Sequence, residues 1–261
     1  MIHKSSVISK TAYIGKNVDI GPFCTIGDNV IIGDNNEFVS HVCIDGNTNI
    51  GNENIFYPFS SIGLKPQDKK FKGEKSLLHI GNNNIIRESV TINPGTSGGG
   101  MITRIHNNCL IMVGSHIAHD CNIQSNVVLV NNSILAGHVT IEEGAIIGGG
   151  SAVHQFVSIG KYAMIGGMSG VESNIVPYSM YFGIRSNLRG LNLIGLKRLN
   201  LKTIQINKIK LVFEKIFNQD NNLNENINNL SSEELEIKEI SEIVDFINKN
   251  SKRGICRYLN E

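Results

Sequence analysis

From Ile105 to Val176, an aliphatic residue returns at every sixth position. Cut at those positions, the segment reads IHNNCL, IMVGSH, IAHDCN, IQSNVV, LVNNSI, LAGHVT, IEEGAI, IGGGSA, VHQFVS, IGKYAM, IGGMSG, VESNIV. Each hexad opens with Ile, Leu or Val. The fifth residue is small or β-branched, as at Cys109, Ser115, Cys121, Val127 and Ala145. A beat of six predicts a parallel β-helix, in which each hexad forms one side of a three-sided coil. The opening aliphatic points into the prism, and the small fifth residue fits beside it. The same beat starts near the beginning of the chain, with openings at Ile8, Ile14, Ile20, Ile26, Ile32, Phe38, Ile44, Ile50, Phe56 and Ile62. Gly15, Gly21, Gly27, Gly33 and Gly51 follow many of these openings and suit the tight corners between sides.

The register breaks twice. Residues 63–79 are polar and basic, and hexads resume at Ile80, Ile86 and Ile92, so this segment either forms an irregular coil or loops out of one. The stretch TSGGGMITR at 96–104 is a second break. Gly98, Gly99 and Gly100 lack the Lys-Ser/Thr that follows a nucleotide P-loop, and predict a flexible surface loop. Loops extruded from a rigid solenoid often carry function, so Asp68, Lys69 and Lys70 are candidate ligand contacts. The beat ends near Pro177. From Leu191 the apolar spacing becomes helical, through Leu196, Leu199, Ile204, Ile209, Val212, Phe213 and Ile216. Ser231 with Glu234 resembles a capping box and predicts a helix through Ile240, Ile243, Val244 and Ile247. The expected organisation is a mainly β solenoid over residues 1–187 and an α-helical domain over 188–261. Arg185, Arg189, Lys197, Arg198 and Lys202 cluster where the two meet.

Stacking turns this register into chemistry. Hexads opening at Ile117, Leu135 and Val153 fall one above another and carry His119, His138 and His154. Parallel strands lie about 4.8 Å apart, so three imidazoles are expected along one face, with His116 at the corner leading into it. Global composition adds mainly exclusions. A net charge of +1 does not suggest nucleic acid or an anionic membrane. The opening MIHKSSVISKTAYIG lacks the apolar run of a signal peptide, and no stretch approaches a membrane span. The five cysteines lack CxxC spacing, and Cys24, Cys109 and Cys121 occupy small hexad positions, so packing in a reducing cytoplasm is the expectation.

The motifs GSHIAHDC (114–121), LAGHV (135–139), GGGSAVHQF (148–156), IGGMSGV (165–171), IRESVTINPGT (86–96) and GLNLIGLKR (190–198) closely resemble the UDP-N-acetylglucosamine O-acyltransferases that begin lipid A synthesis. The resemblance covers essentially the whole chain. It implies a left-handed coil, a homotrimer with active sites in clefts between subunits, and no cofactor or metal. It implies transfer of a (3R)-3-hydroxyacyl group from acyl carrier protein to the sugar's 3-hydroxyl. His119 would be the general base, Asp120 its orienting partner, and Gly137 the backbone donor to the oxyanion. His116, His138, His154 and Gln155 match sugar-nucleotide contacts, Asp68 and Lys70 match contacts from the first extruded loop, and Asn192 and Arg198 match residues that hold the nucleotide. Gly167 matches the position that limits acyl-chain length. Two positions depart from the pattern: Ile194 stands where some members carry Glu, and Leu199 where a second Arg is common.

Other readings predict different outcomes. A sugar bearing an amine at carbon 3 would use the same scaffold. The related N-acyltransferases carry an additional uridine-binding domain before their hexads, whereas the hexads here begin near Ile8. A zinc enzyme like the hexapeptide carbonic anhydrases would employ His116, His119 and His138 as ligands. A non-enzymatic solenoid for partner binding would need no row of histidines.

Overall fold

The computed structural model describes residues 1–250 and 253–258, so the predicted helical region is described except at 251–252 and 259–261. Val7–Ile8 pairs in parallel with Thr25–Ile26, and this with Cys43–Ile44, so one coil takes eighteen residues. Among the described residues nine strands stack on this first face of the prism, eight on the second and ten on the third. Most strands are two residues long, and the second residue is the buried one: Thr25 is exposed and Ile26 buried, His116 half-buried and Ile117 fully buried. The six-residue beat is therefore a strand pair and a corner, repeated. Three faces of short parallel strands form a left-handed parallel β-helix, followed by a helical region.

The core is a column of Ile, Val, Leu and Phe running along the axis. Ile62, Ile80, Ile92, Ile111 and Ile147 are fully buried, each contributing about 1.5–3 kcal/mol relative to exposure. Phe38 and Phe56 stack at 4.8 Å between ring centroids. The fifth position of the hexads that open on the second face lines the corner between the second and third faces. In the later coils it holds Cys109, Val127, Ala145 and Ala163, all buried. In the earlier coils it holds Asn36, Asn54 and Asn84, which are equally buried. Asn54 Nδ2 donates to Asn36 Oδ1 at 2.9 Å, and Asn84 Nδ2 donates to Asn54 Oδ1 at 3.0 Å. The ladder ends where the Cys109 N–H donates to Asn84 Oδ1 at 2.9 Å. A polar side chain is tolerated there because its amide groups are paired from coil to coil. The cysteines at 24, 109 and 121 are free and buried, as packing requires.

Both breaks in the beat are loops. Ile80 lies eighteen residues after Ile62 yet does not stack on it: Ile62 pairs with Ile92, and Ile80 with Ile50 and Ile105. The segment between Ser61–Ile62 on the first face and Leu77–Ile80 on the second is extruded from the corner joining them. The segment between Thr91–Ile92 and Ile102–Ile105 leaves the same corner one coil later.

The end of the solenoid is closed by a hairpin. Ser179–Phe182 adds in parallel to Met164–Ile165 and then pairs antiparallel with Asn187–Leu191. Among the described residues five helices follow: α1 (Leu193–Arg198), α2 (Thr203–Ile216), α3 (Leu223–Asn228), α4 (Ser232–Leu235) and α5 (Lys238–Lys249). The Ser231–Glu234 capping box is present, but it opens only the single-turn α4; the apolar residues Ile240, Ile243, Val244 and Ile247 belong to α5. Lys161 Nζ donates to Glu242 Oε1 at 2.7 Å, and the Tyr178 hydroxyl donates to the other oxygen of Glu242. These bonds tie α5 to the last coils.

Candidate active site

The first-to-second corner carries the site. Three successive coils present Ala118-His119-Asp120, Ala136-Gly137-His138 and His154-Gln155-Phe156 there, because Ile117, Leu135 and Val153 are in register on the first face. The histidines occupy different places in their hexads, so they do not form a single row. His119 stands above Gly137, while His138 stands between Asp120 and Phe156. His138 and Phe156 stack at 4.3 Å between ring centroids, and His119 meets His138 edge-on at 5.0 Å. Asp120, His138 and Phe156 share a left-handed backbone with φ of 60°, 64° and 65°. His154 is exposed, and its Nδ1 lies 3.3 Å from the Gln155 carbonyl, apart from the other two rings. His116 is on the strand itself, with Nδ1 2.7 Å from the Thr91 hydroxyl. The expected row of three imidazoles is therefore a pair, His119 and His138, flanked by His116.

Asp120 anchors the pair. Its side chain is fully buried, and Oδ2 accepts from His119 Nδ1 at 2.8 Å. With Nδ1 held this way, His119 Nε2 faces outward over Gly137. A Cβ built on Gly137 would lie 2.5 Å from His119 Cε1 and 2.7 Å from Nε2, so only glycine leaves room for the ring. Among the described residues no acceptor takes the Gly137 N–H. Burial, reinforced by the charge of His119, pushes the His116 imidazole below its ordinary pKa. Burial does the same at His138, where Asp120 and Asp68 pull the other way and His119 adds to the depression. Both rings are thus held towards their neutral forms.

The sequence reading missed part of the surroundings. The 96–101 segment, expected to be a flexible loop, is a turn closed by the Gly99 and Met101 N–H groups on the Thr96 carbonyl, each at 3.1 Å. Thr96 donates to Asp120 from both its hydroxyl and its N–H. Thr103 Oγ1 accepts the Asp120 N–H at 2.8 Å. Phe156 carried a readable signal: an aromatic ring at a corner position that otherwise suits Asn, Asp or Gly. For Thr96 there was no signal, since the contact joins residues on separate coils across an irregular insertion.

The remaining candidates are dispersed. The charge of Asp68 acts on His138 against the effect of burial, and Lys70 donates its N–H to Asp68 Oδ1 at 2.9 Å. Asn192 caps α1, accepting from the Gly195 N–H and donating to the Tyr162 carbonyl, both at 2.9 Å. Arg198 is exposed at the end of α1. Both lie at the closed end of the prism, away from the His119 corner. Of the two departures, Ile194 is exposed, whereas Leu199 is the α1 C-cap and packs against the core. Gly167 is exposed at the corner between the third and first faces, over the backbone of Gly149. His119, Asp120 and His138 offer possible metal-ligand atoms within 4.8 Å of one another. Oδ2 of the buried carboxylate is, however, already bonded by Thr96 and His119, and a cation on that oxygen would compete with those bonds.

Comparison with known proteins places this geometry. Residues 174–256 match the family model described as UDP-N-acetylglucosamine O-acyltransferase, domain 2, and residues 5–39 match that of the bacterial transferase hexapeptide, six repeats. The acyl-[acyl-carrier-protein]–UDP-N-acetylglucosamine O-acyltransferase of Rickettsia felis is 51% identical over 98% of this chain and 97% of its own. The UDP-N-acetylglucosamine acyltransferase of Francisella novicida superposes with a TM-score of 0.95 at 39% identity, over 100% of this chain and 95% of that one. LpxA of Acinetobacter baumannii gives a TM-score of 0.94 at 37% identity, over 98% and 99% of the two chains. The chain belongs to the acyl-[acyl-carrier-protein]–UDP-N-acetylglucosamine O-acyltransferase family of hexapeptide-repeat enzymes.

Proposed function

We propose that this enzyme transfers a 3-hydroxyacyl group from acyl carrier protein to the 3-hydroxyl of UDP-N-acetylglucosamine, the first step of lipid A synthesis, with His119 as general base. The observation that carries this reading is the His119–Asp120 dyad set over Gly137. Asp120 holds the Nδ1 proton, which leaves Nε2 as the acceptor of the sugar hydroxyl proton. The hydroxyl oxygen then attacks the thioester carbonyl. The negative charge that develops on the carbonyl oxygen is met by the Gly137 N–H. Collapse breaks the carbon–sulfur bond, and the proton on His119 passes to the departing thiolate. An ester and a free carrier thiol result.

Neighbouring groups fit this reading. His116, His138, His154, Gln155, Asp68 and Lys70 surround the sugar, and neutral His116 and His138 can donate to its hydroxyls. Down the axis from His116, the outward residues of the first face are Ile134, Ala152 and Gly170, paired in that order. The strip is apolar and tapers in size, which suits an acyl chain, and Gly167 borders it on the far corner. Asn192 and Arg198 lie away from the dyad of their own chain. They are assigned to a neighbour's nucleotide in a homotrimer, where one subunit's closed end can meet another's corner. The exposed Arg185, Arg189, Lys197 and Lys202 suit docking of an acidic carrier protein. Among the described residues no helix is long and apolar enough to cross a membrane; a cytoplasmic location is part of the proposal.

The test is turnover of UDP-N-acetylglucosamine with 3-hydroxyacyl carrier protein by the parent enzyme and by His119→Ala. A loss of about 10²–10⁴-fold is expected, the usual cost of removing a positioned base. Parent-like turnover in the variant removes His119 from that role.

A further inference from the structure

We infer that the 96–100 turn is a clamp on the catalytic carboxylate, and that Thr96 and Gly99 are positioning residues acting on His119 through Asp120. The inference rests on the reading of His119 as the base.

Asp120 has no solvent contact through its side chain, so protein donors must satisfy its oxygens. Thr96 Oγ1 donates to Oδ2 at 2.6 Å, and the Thr96 N–H reaches Oδ1 and Oδ2 at 3.0 and 3.1 Å. The shortest bond to Oδ2 is thus from Thr96 rather than from His119, which stands at 2.8 Å. Two donors sharing one oxygen fix the carboxylate plane, and that plane fixes the tilt of the imidazole. Gly99 covers the same group from outside. A Cβ there would fall 2.1 Å from Asp120 Cγ and 2.4 Å from His138 Cε1. No side chain larger than hydrogen fits between the turn and the carboxylate. The turn is tied down in its own right: the Ser97 N–H donates to Glu74 Oε1 at 3.0 Å. That carboxylate is pulled down to about 2, chiefly by the Ser97 N–H. The second extruded loop is therefore anchored to the end of the first, and together they hold Asp120 dry.

A kcat effect without a KM effect, rescued by the conservative variant, is a readout that packing alone would not give. Thr96→Val keeps shape and the backbone N–H but deletes the hydroxyl donor to Oδ2, so the carboxylate plane and the imidazole tilt are no longer fixed. It should lower kcat by about 10- to 100-fold, the scale on which outer partners of metal-bound histidines are felt. KM for UDP-N-acetylglucosamine should hold. Thr96→Ser should restore kcat. Parent-like kcat in Thr96→Val, or a loss that Thr96→Ser does not rescue, overturns the clamp. Should Thr96→Val unfold early in a thermal melt, Gly99→Ala decides, since it leaves the hydroxyl in place and wedges the turn off the carboxylate. A fall in kcat supports the clamp there, whatever KM does through the same Cβ pressing on His138, and parent-like kcat overturns it. His119→Ala is run beside them. If it is inactive while Thr96→Val and Gly99→Ala are parent-like, only the clamp fails. If His119→Ala is active, the base assignment itself fails.

Discussion

A glycine beneath an imidazole is the tightest constraint at the residue scale. Gly137 is not in the left-handed region, so alanine suits its backbone; what it lacks is space, because the ring of His119 occupies the position of a Cβ. In Gly137→Ala the backbone belongs to a rigid coil, so the ring must move, and the Nε2 lone pair moves with it. Activity should fall by about 10²-fold or more, comparable to loss of a donor to the oxyanion, while the thermal midpoint stays near that of the parent. Parallel kinetic and melting measurements check both halves. The corner residues make a second point at this scale. Asp120 and His138 hold φ of 60° and 64°, a region that costs a non-glycine residue about 1–2 kcal/mol. The side chains to which the proposed function gives roles thus stand at positions that stability alone would give to Gly or Asn.

At the scale of single elements, the ladder of buried amides is the feature most open to test. Asn54 lies between Asn36 and Asn84 and also donates to the Gly81 carbonyl at 2.9 Å. Asn54→Ala would take a partner from the Asn84 backbone N–H, from one Asn84 side-chain N–H and from the Gly81 carbonyl inside the prism, while Asn36 Oδ1 keeps the backbone N–H of residue 54. Each unsatisfied group costs about 1–3 kcal/mol, so the variant should be destabilised by at least that much in urea unfolding. Catalysis should be little changed, because the ladder lies at a different corner from His119. The element scale also explains one misreading of the helical region. The Ser231 capping box is real, yet Glu236 and Ile237 end α4 and lead into α5, and capping chemistry marks where a helix begins without saying how far it runs.

Across the whole molecule, the proposed function puts chemistry and chain-length measurement at different corners of the prism. His119 stands at one edge of the first face and Gly167 at the other, with the strip Ile134, Ala152 and Gly170 between them. A Cβ on Gly167 would meet only the Gly149 backbone, its oxygen at 3.1 Å, so a larger side chain can be carried there with a small adjustment and would project outward. Gly167→Met should therefore shift kcat/KM towards shorter 3-hydroxyacyl donors, since each excluded methylene forfeits about 0.8 kcal/mol of burial. Comparing a long and a short donor in both proteins checks this. An unchanged ratio would mean that the ruler lies elsewhere, with Met164 and Met168 next to be tried.

The hexads by themselves determined the solenoid, its buried column and the coil-to-coil stacking of Ile117, Leu135 and Val153, because period six is a local property repeated many times. The change to helical spacing determined the helical region for the same reason. Motif resemblance singled out His119, Asp120 and Gly137 as candidates, and the fold brings the three together. Tertiary structure decided what the beat could not carry. It showed that Ile80 does not stack on Ile62, since an insertion can mimic a whole coil in length. It put His154 apart from His119 and His138, since a shift of one residue at a corner turns a side chain away. It brought Thr96 and Gly99 onto Asp120 from a loop whose glycines suggested freedom. Periodicity specifies contacts that repeat; contacts made once, across an irregular insertion, exist only when the chain is folded.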